Sequence, residues 1–537
     1  MDTVSGIFHF RWILWGIGVA GLILCLSGMK RGSAHEIKGI CNRYYSRIIL
    51  LVCLSFFGFS LLEKYTQFWS LSLHGQDFWL FVDILEQMKQ GAFFLTRFAP
   101  HEIGYVQHGA VHPMFSWGLL LPLSFLIGSA HAALVHNPLV LSLAGLMVAL
   151  LTRKSWEAWG SILWTCAFLG STQVGKVLLY EVHPESAYPF FMLLWFWSVG
   201  LDGTHRIRYW ALILSTALCM GVKEDSFLVL GPWLAWGLFV LAGQQRRAVL
   251  YSLVIATACF GFQLYAVRNW ASGHWGPHEW NGSPVLYQVS LGFFKGLHWS
   301  SLSNVKDILL QFVSDQGGGV GWAKSLFHFL LSRPWLSLLV LAPWVLFQFR
   351  FWWVSLPLIA AYSVLEGPRL LWNYYSAPFL GLFWFSAAAP DRERSGLFRV
   401  WPVWAFLASC LLGSGSIDLF FPSQKVTAIK KEVKELLPCL GEAHHGLVAS
   451  HLLSLVPLEK VWTERVPKTP TQWESVDFVL FSPHMSRFEL PREAAEKLYL
   501  DLKNNPAWTQ LSAGCLPVIE NIETINAQGV VLFIHKI

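Results

Sequence analysis

The sequence predicts a polytopic α-helical membrane protein, with about 12–13 transmembrane segments and a C-terminal extracytoplasmic α/β domain. Three observations predict it. Of 537 residues, 54% are hydrophobic and 13% are charged, with mean hydropathy +0.46; a soluble domain carries about 25% charged residues. Apolar runs recur from residue 12 to residue 414. Beyond about Ser414 the charges return and long apolar runs stop.

A helix needs about 17–25 apolar residues to cross a bilayer, fewer where it is broken. The runs that approach this are 12–29, 48–63, 111–128, 133–151, 156–170, 187–200, 209–220, 227–242, 248–267, 335–349, 351–365, 371–388 and 399–414. Tryptophans such as Trp156, Trp159, Trp210, Trp335, Trp352 and Trp353 flank them, as expected for a side chain with one apolar and one polar end. The first run follows Arg11 and no small-residue cleavage site follows it, so it reads as an uncleaved helix.

Basic residues assign the sides. Lys30, Arg31, Lys38, Arg43 and Arg47 stand against the single Glu36, which makes 30–47 a cytoplasmic linker after the N-terminal helix (1–47 together). Arg153-Lys154, Arg206/Arg208, Arg246-Arg247, Arg350 and Arg392/Arg394 continue the cytoplasmic set. The polar stretches between them then face outward: 63–110, 171–186, 221–226, 268–333, 366–370 and the chain after 414. This gives a transmembrane domain at 48–414 and an outer domain at 415–537. Both 111–128 and 133–151 lie between an outer loop and an inner cluster, so one is broken or re-entrant; Pro113, Pro122 and Pro138 leave either open.

In the outer domain, KVTAIKKEVKELL (425–437) places Val426, Ile429, Val433 and Leu436 on one helical face. GLVASHLL and VDFVLFSP read as strands, EAAEKLYLDLKNN as a helix, and INAQGVVLFIHKI as a final strand after a turn at Gln528-Gly529. Cys439 and Cys515 lie outside the membrane portion and are able to pair if that region is exported; Cys25, Cys53, Cys166, Cys219, Cys259 and Cys410 sit in apolar runs as small hydrophobes. The net charge of +6 is dispersed in small clusters and no basic stripe exists, which argues against nucleic acid. No CxxC or HExxH occurs.

Five clusters have the residue types of a site. In the first loop Asp77 opens an apolar-faced stretch, 77–89, with Asp83 behind it; Asp77 either caps that helix or acts as a functional carboxylate. His101-Glu102, His108 and His112-Pro113 are a cation site or ordinary interfacial histidines. Glu181, His183 and Glu185 stand at an outer membrane edge, as an acid/base or cation site or as a plain polar loop, with Pro184 starting the next helix. Lys223, Glu224 and Asp225 lie close enough to Arg208 to be inside the bilayer, where ionisable groups face a cavity or pair with each other. Glu366 and Arg369, beside Asn373, Tyr374 and Tyr375, are a lipid-phosphate contact or an interfacial anchor.

The order of a QDF segment, QHGAVHPMFS, EVHPESA, GVKEDSFLVL, NYYSAPFL and a tail with GLVASHLLSLVP and VDFVLFSP resembles the bacterial membrane-protein family called domain of unknown function 2079, over residues 60–537. That family is similar to the C-type (GT-C) glycosyltransferases. The resemblance implies a bacterial inner-membrane enzyme that moves a sugar from a polyprenyl-phosphate donor to an acceptor on the extracytoplasmic face. It implies Asp77 as base or metal-associated group, although Phe78 follows Asp77 where the superfamily commonly has a second acid. Lys223 and Arg369 would face the donor phosphate. His108, His183, Glu185, Glu224, Asp225 and Tyr374 would line the substrate. A divalent cation would find Asp77, Glu181 and His183, and a groove between helices would take the lipid tail. The alternative class is a transporter or lipid-handling protein without catalysis, in which Lys223, Glu224 and Asp225 form an ion or proton relay.

Overall fold

The computed structural model describes residues 4–9, most of 33–98, 106–107, most of 114–271, most of 333–345, Trp352, 355–356, 377–388, 401–412, most of 418–482, 492–512, two positions near 516, and 530–535. The expected run 12–29 and most of 351–365 lie outside the described residues.

Helix α1 (Ser33–Trp69) takes in the basic stretch from Ser33 onward, so these residues are the first turns of a long helix. Their side chains are compatible with helix, and no Pro or paired Gly interrupts the run. Leu71, with φ at 54°, is in the left-handed region and stands where the helix stops. Helix α2 (Gly75–Lys89) has Asp77 in its first turn and Lys89 in its last, each sign matched to the helix dipole. A 3-10 turn (Phe115–Leu120) runs into α3 (Leu121–Ile127), then Gly128 and the 25-residue α4 (Ser129–Arg153).

Among the described residues, two helical spans are long and apolar enough to cross a membrane, Asn42–Trp69 and Ser129–Arg153. A third is the pair α5 (Ala158–Leu169) and α6 (Thr172–Leu179), bent by 44° where Gly170 ends one helix and Ser171 caps the next. The expected segment 133–151 therefore lies in a full-length helix, and the described part of 111–128 falls on the shorter apolar piece Phe115–Ile127.

Among the described residues, the remaining expected segments fall on seven further helices. They are α7 (Tyr188–Val199), α8 (Arg206–Met220), α9 (Ser226–Val240), α10 (Gly243–Ala271), α11 (Arg333–Leu341), α12 (Ala377–Ala388) and α13 (Trp401–Leu412). Proline at the start and glycine at the end shorten α7. Between α4 and α5 the packing is tight at Gly145, where a Cβ would stand 2.8 Å from Leu169.

The basic positions gather at one end of this bundle. Arg153 donates to Asn42 Oδ1, Lys154 to the Gly200 carbonyl, and Arg208 to the carbonyls of Val199 and Gln244. Cations on the last carbonyls of a helix such as α7 satisfy groups the helix leaves open. Glu63, Lys64, Tyr180 and Gly221 lie toward the opposite ends of their helices.

In the C-terminal region α14 (Gln424–Leu436) buries Val426, Ile429, Val433 and Leu436, the face its spacing predicts. A five-stranded sheet of order β6-β5-β7-β9-β8 follows. It comprises β5 (Gly446–Val448), β6 (Val461–Thr463), β7 (Phe478–Phe481), β8 (Trp508–Leu511) and β9 (Val531–His535). Strands β6, β5 and β7 are parallel; β9 and β8 are antiparallel to their neighbours. Helix α15 (Pro470–Glu474) precedes β7, and α16 (Arg492–Asn504) covers one face of the sheet. The segment GLVASHLL divides into β5 and a 3-10 turn (Ser450–Leu455), because polar Ser450 and His451 break the alternation. Cys439 and Cys515 form a disulfide. Four strands lie apart from this sheet: β1 (Val4–His9) pairs antiparallel with β4 (Asp418–Pro422), and β2 (Leu95–Thr96) with β3 (Val106–Gln107).

Gly446 is a position where the sheet admits no side chain, since a Cβ there would meet the Phe478 ring at 2.0 Å. Gly446→Ala is expected to destabilise the protein by about 1–3 kcal/mol through overpacking. Gly261→Ala on α10, where nothing lies within 4 Å, is expected to be neutral or mildly stabilising. Thermal unfolding of the two variants in the same detergent checks the contrast.

Candidate active site

At the end of the bundle away from the basic cluster, three distant stretches bring four charged groups into one hydrogen-bonded chain. Asp77 comes from the first turn of α2. His183 is extended backbone just before a 3-10 turn (Pro184–Ala187) that carries Glu185 and leads into α7. Lys223 follows α8 after the turn at Gly221-Val222. His183 Nε2 stands 3.0 Å from Asp77 Oδ2, and its Nδ1 stands 3.2 Å from Glu185 Oε2. Lys223 Nζ donates to Glu185 Oε1 at 2.9 Å.

Signs alternate along the chain: carboxylate, imidazolium, carboxylate, ammonium. Both neighbours of His183 are acceptors, so a doubly protonated ring donates to each. Burial works against charge on His183, but the hydrogen bonds to Asp77 and Glu185 outweigh it and raise its pKa to about 9. Burial likewise works against the Glu185 carboxylate, and Lys223 with His183 outweighs it, holding the group well below the usual carboxylate range. The side chains of His183, Glu185 and Lys223 are 7%, 5% and 13% exposed, and that of Asp77 is 37% exposed. The chain thus has three shielded members and one open to a ligand.

The surrounding side chains fix this geometry. Lys64, fully buried near the end of α1, donates to the Tyr180 carbonyl at the start of the link that carries His183. Ser186 Oγ lies 2.7 Å from both Asn137 Oδ1 and the His183 carbonyl, and 3.2 Å from His136 Nδ1, so α4 holds the other end of the link. The Phe81 ring meets His183 edge-on at 5.1 Å, and Trp117 donates to the Phe81 carbonyl. Ser226 accepts from the Lys223 backbone N–H and contacts the Tyr188 hydroxyl.

Of the residues singled out in the sequence, Asp77, His183, Glu185 and Lys223 come together. Lys223 is engaged with Glu185, where the resemblance implied a donor phosphate. Asp83 stands elsewhere: it is fully buried and bonded to Arg97. His101, Glu102, His108, His112, Glu181, Glu224, Asp225, Glu366, Arg369, Asn373, Tyr374 and Tyr375 lie outside the described residues. Sequence reasoning missed Lys64, His136, Asn137 and Ser186. Glu63-Lys64 at the end of one apolar run and His136-Asn137 inside another were the visible signals, since polar groups at such depth need partners.

Of the three residues expected to hold a divalent cation, Glu181 lies outside the described residues. Both ring nitrogens of His183 face carboxylates, and among the described residues no group of three or more His, Cys, Asp or Glu side chains is placed to hold an ion.

No family model matches the chain, so membership of the domain of unknown function 2079 family is not shown. No curated protein matches it. Among solved structures, the chain is similar to the arabinofuranosyltransferase AftD from mycobacteria, with TM-score 0.44 and 13% identity. That likeness covers 92% of this chain and 40% of the other, so this chain spans well under half of AftD. It is also similar to the Archaeoglobus fulgidus oligosaccharyltransferase. The form with zinc and sulfate gives TM-score 0.40 and 11% identity over 83% of this chain and 69% of that one. The apo form gives 0.38 and 13% over 88% and 74%. At these scores the likenesses carry no statement about chemistry.

A pH dependence follows from His183. Its folded pKa lies above its ordinary value of 6.5, so its share of stability is complete below that value and is lost as pH rises through about 9. Glu185 works in the other direction, its share present above the ordinary carboxylate range and lost on acidification. The thermal midpoint is expected to fall as pH rises from about 6.5 to about 9 and to level off above that, and His183→Gln is expected to remove that alkaline fall.

Proposed function

We propose that the protein is a membrane glycosyltransferase of the GT-C type, acting on a polyprenyl-phosphate-linked sugar at the extracytoplasmic face of the bacterial inner membrane. The observation that supports this reading best is the asymmetry of the ion chain. Asp77 alone is open to a ligand, and a buried His183–Glu185–Lys223 series holds it from behind. In this reading the acceptor hydroxyl gives its proton to Asp77 as its oxygen bonds the anomeric carbon. The bond from that carbon to phosphate breaks, and polyprenyl phosphate leaves with the electron pair. The positive ring of His183 orients Asp77, and Lys223 acts through Glu185. Arg369 remains the proposed phosphate contact, with His108, Glu224, Asp225 and Tyr374 as proposed substrate contacts.

The disulfide supports the outward placement of the C-terminal domain, since such bonds persist in oxidising compartments. Protein isolated after thiol blocking is expected to retain Cys439–Cys515 oxidised, read by non-reducing peptide mass mapping. Reduction is expected to lower stability by about 2–4 kcal/mol. Finding both thiols blocked would reverse the orientation.

A second reading, proton-coupled transport, draws on the same unbroken series of four titratable groups. Mass spectrometry of lipids retained by the detergent-solubilised protein separates the two. The expected result is a polyprenyl phosphate or its glycoside in the wild type, lost in Arg369→Ala. With that donor supplied, Asp77→Asn is expected to cut sugar transfer by about 10²–10⁴-fold while the lipid is still retained. Bulk phospholipid alone, together with proton-coupled flux in liposomes, would favour transport.

A further inference from the structure

Asp83 is a buried carboxylate that the ion chain leaves unused. It lies six residues after Asp77 on α2 and is fully buried. It accepts from the Arg97 backbone N–H at 2.7 Å, Arg97 Nη2 at 2.6 Å, Arg97 Nε at 3.2 Å and Thr96 Oγ1 at 3.2 Å. The other arm of the same guanidinium leaves the loop. Arg97 Nη1 donates to the carbonyls of Leu458 and Val461, at 3.0 and 2.7 Å, where β6 of the C-terminal sheet begins. One planar, rigid cation therefore joins the helix that carries Asp77 to a domain more than 350 residues away in sequence.

Packing runs along the same line. Phe78, Phe81, Ile84 and Leu85 of α2 share a core with Val426, Ile429, Leu452 and Leu453 of the C-terminal region, and Val182, next to His183, belongs to it too. Lys430 of α14 also donates to the Trp69 carbonyl at the end of α1, just before the turn into α2.

We propose that Arg97 is a positioning residue through which the seated C-terminal domain holds α2, so that Asp77 stays within hydrogen-bond reach of His183. The domain is then a working part of the site and not an appendage. This rests on Asp77 being the working carboxylate, and it deepens that reading.

The test reads the Asp77–His183 contact directly and needs no substrate. The groups that set the charge around the His183 ring are Asp77 from α2, Glu185 from its own link, Lys223 beyond Glu185, and His136 from α4. Full-length protein carrying ring-labelled histidine is titrated in detergent by NMR, with the His183 signal assigned by its loss in His183→Gln. Losing one of two opposite charges in hydrogen-bond contact is expected to lower the His183 midpoint by about one pH unit or more. That shift is expected in Arg97→Ala. A smaller shift is expected in Arg97→Lys, whose single ammonium reaches either Asp83 or the Leu458 and Val461 carbonyls but not both. Glu86→Gln, which breaks a partly exposed Glu86–Lys89 pair on the same helix, is expected to leave the midpoint unchanged.

If Arg97→Ala does not fold, Arg97→Lys carries the test. A folded Arg97 variant with the wild-type His183 midpoint would overturn the proposal. The two readings fail separately. A shifted midpoint in a protein whose wild type transfers no sugar would overturn the glycosyltransferase and keep the coupling. An unshifted midpoint beside intact transfer would do the reverse.

Discussion

The site end of this molecule depends on one requirement, that the carboxylate of Glu185 meet positive charge on both sides. A carboxylate withdrawn from water costs several kcal/mol unless its lone pairs are taken up. Glu185 satisfies its two oxygens with different cations, His183 from its own link and Lys223 from the far end of α8. His183, buried and charged, then needs a second acceptor and finds Asp77. Two carboxylates against one imidazolium and one ammonium leave no net charge, so the chain can stand at a bundle end without a counter-ion. Hydrophobic packing alone would allow these three segments to slide. The alternation of charge fixes their register, because a shift at any joint would uncover a buried ion.

The same requirement separates the two acids of the first loop. At about 100° per residue, six positions turn a helix through about 240° net, so Asp77 and Asp83 point to different sides of α2. One side meets the His183 link and the other meets Arg97. The helix between them is enclosed on most faces, with Phe78, Trp79, Leu80, Phe81, Val82, Ile84 and Leu85 all buried. A helix lying on the membrane would keep one face open, whereas α2 is covered by the C-terminal region as well as by the bundle. Its near-continuous apolar sequence from Phe78 to Leu85 already carried that information, since a helix hydrophobic on most sides is a buried one.

Local periodicity was legible and distance was not. The helices at 424–436 and 492–504 stood out by spacing, as did the strands at 478–481 and 531–535 by their apolar runs. Strands β6 and β8 did not, because Val-Trp-Thr and Trp-Thr-Gln-Leu are too short for an alternation to show. Apolar content located helices in the membrane portion to within a few residues, as 156–170, 187–200 and 227–242 fall on α5, α7 and α9, but it ran short on α10, whose first turns hold Gln244, Gln245, Arg246 and Arg247. At the site, Asp77, His183, Glu185 and Lys223 were each visible as ionisable groups beside apolar runs. His183 and Glu185 are two residues apart, but the contacts to Lys223 and Asp77 span 38 and 106 residues of sequence, and nothing in a single chain reports such a distance.

The two charged clusters differ in what they leave open, and that difference divides structure from chemistry. Around Asp83 donors from Gln87, Thr96 and Arg97 occupy both oxygens, and the residue has no exposed surface. A network closed in this way specifies a fold, because any newcomer would have to displace a bond already made in a low-dielectric setting. The chain at His183 is equally well bonded at its buried end but finishes on Asp77, more than a third exposed at a helix N-terminus. Charge held rigidly from behind and open in front is the arrangement that lets a carboxylate take a proton without the reorganisation that water would require. The closed cluster ties the C-terminal domain to α2, the open one ends on the same helix, and so the stability of the first is what keeps the second aimed.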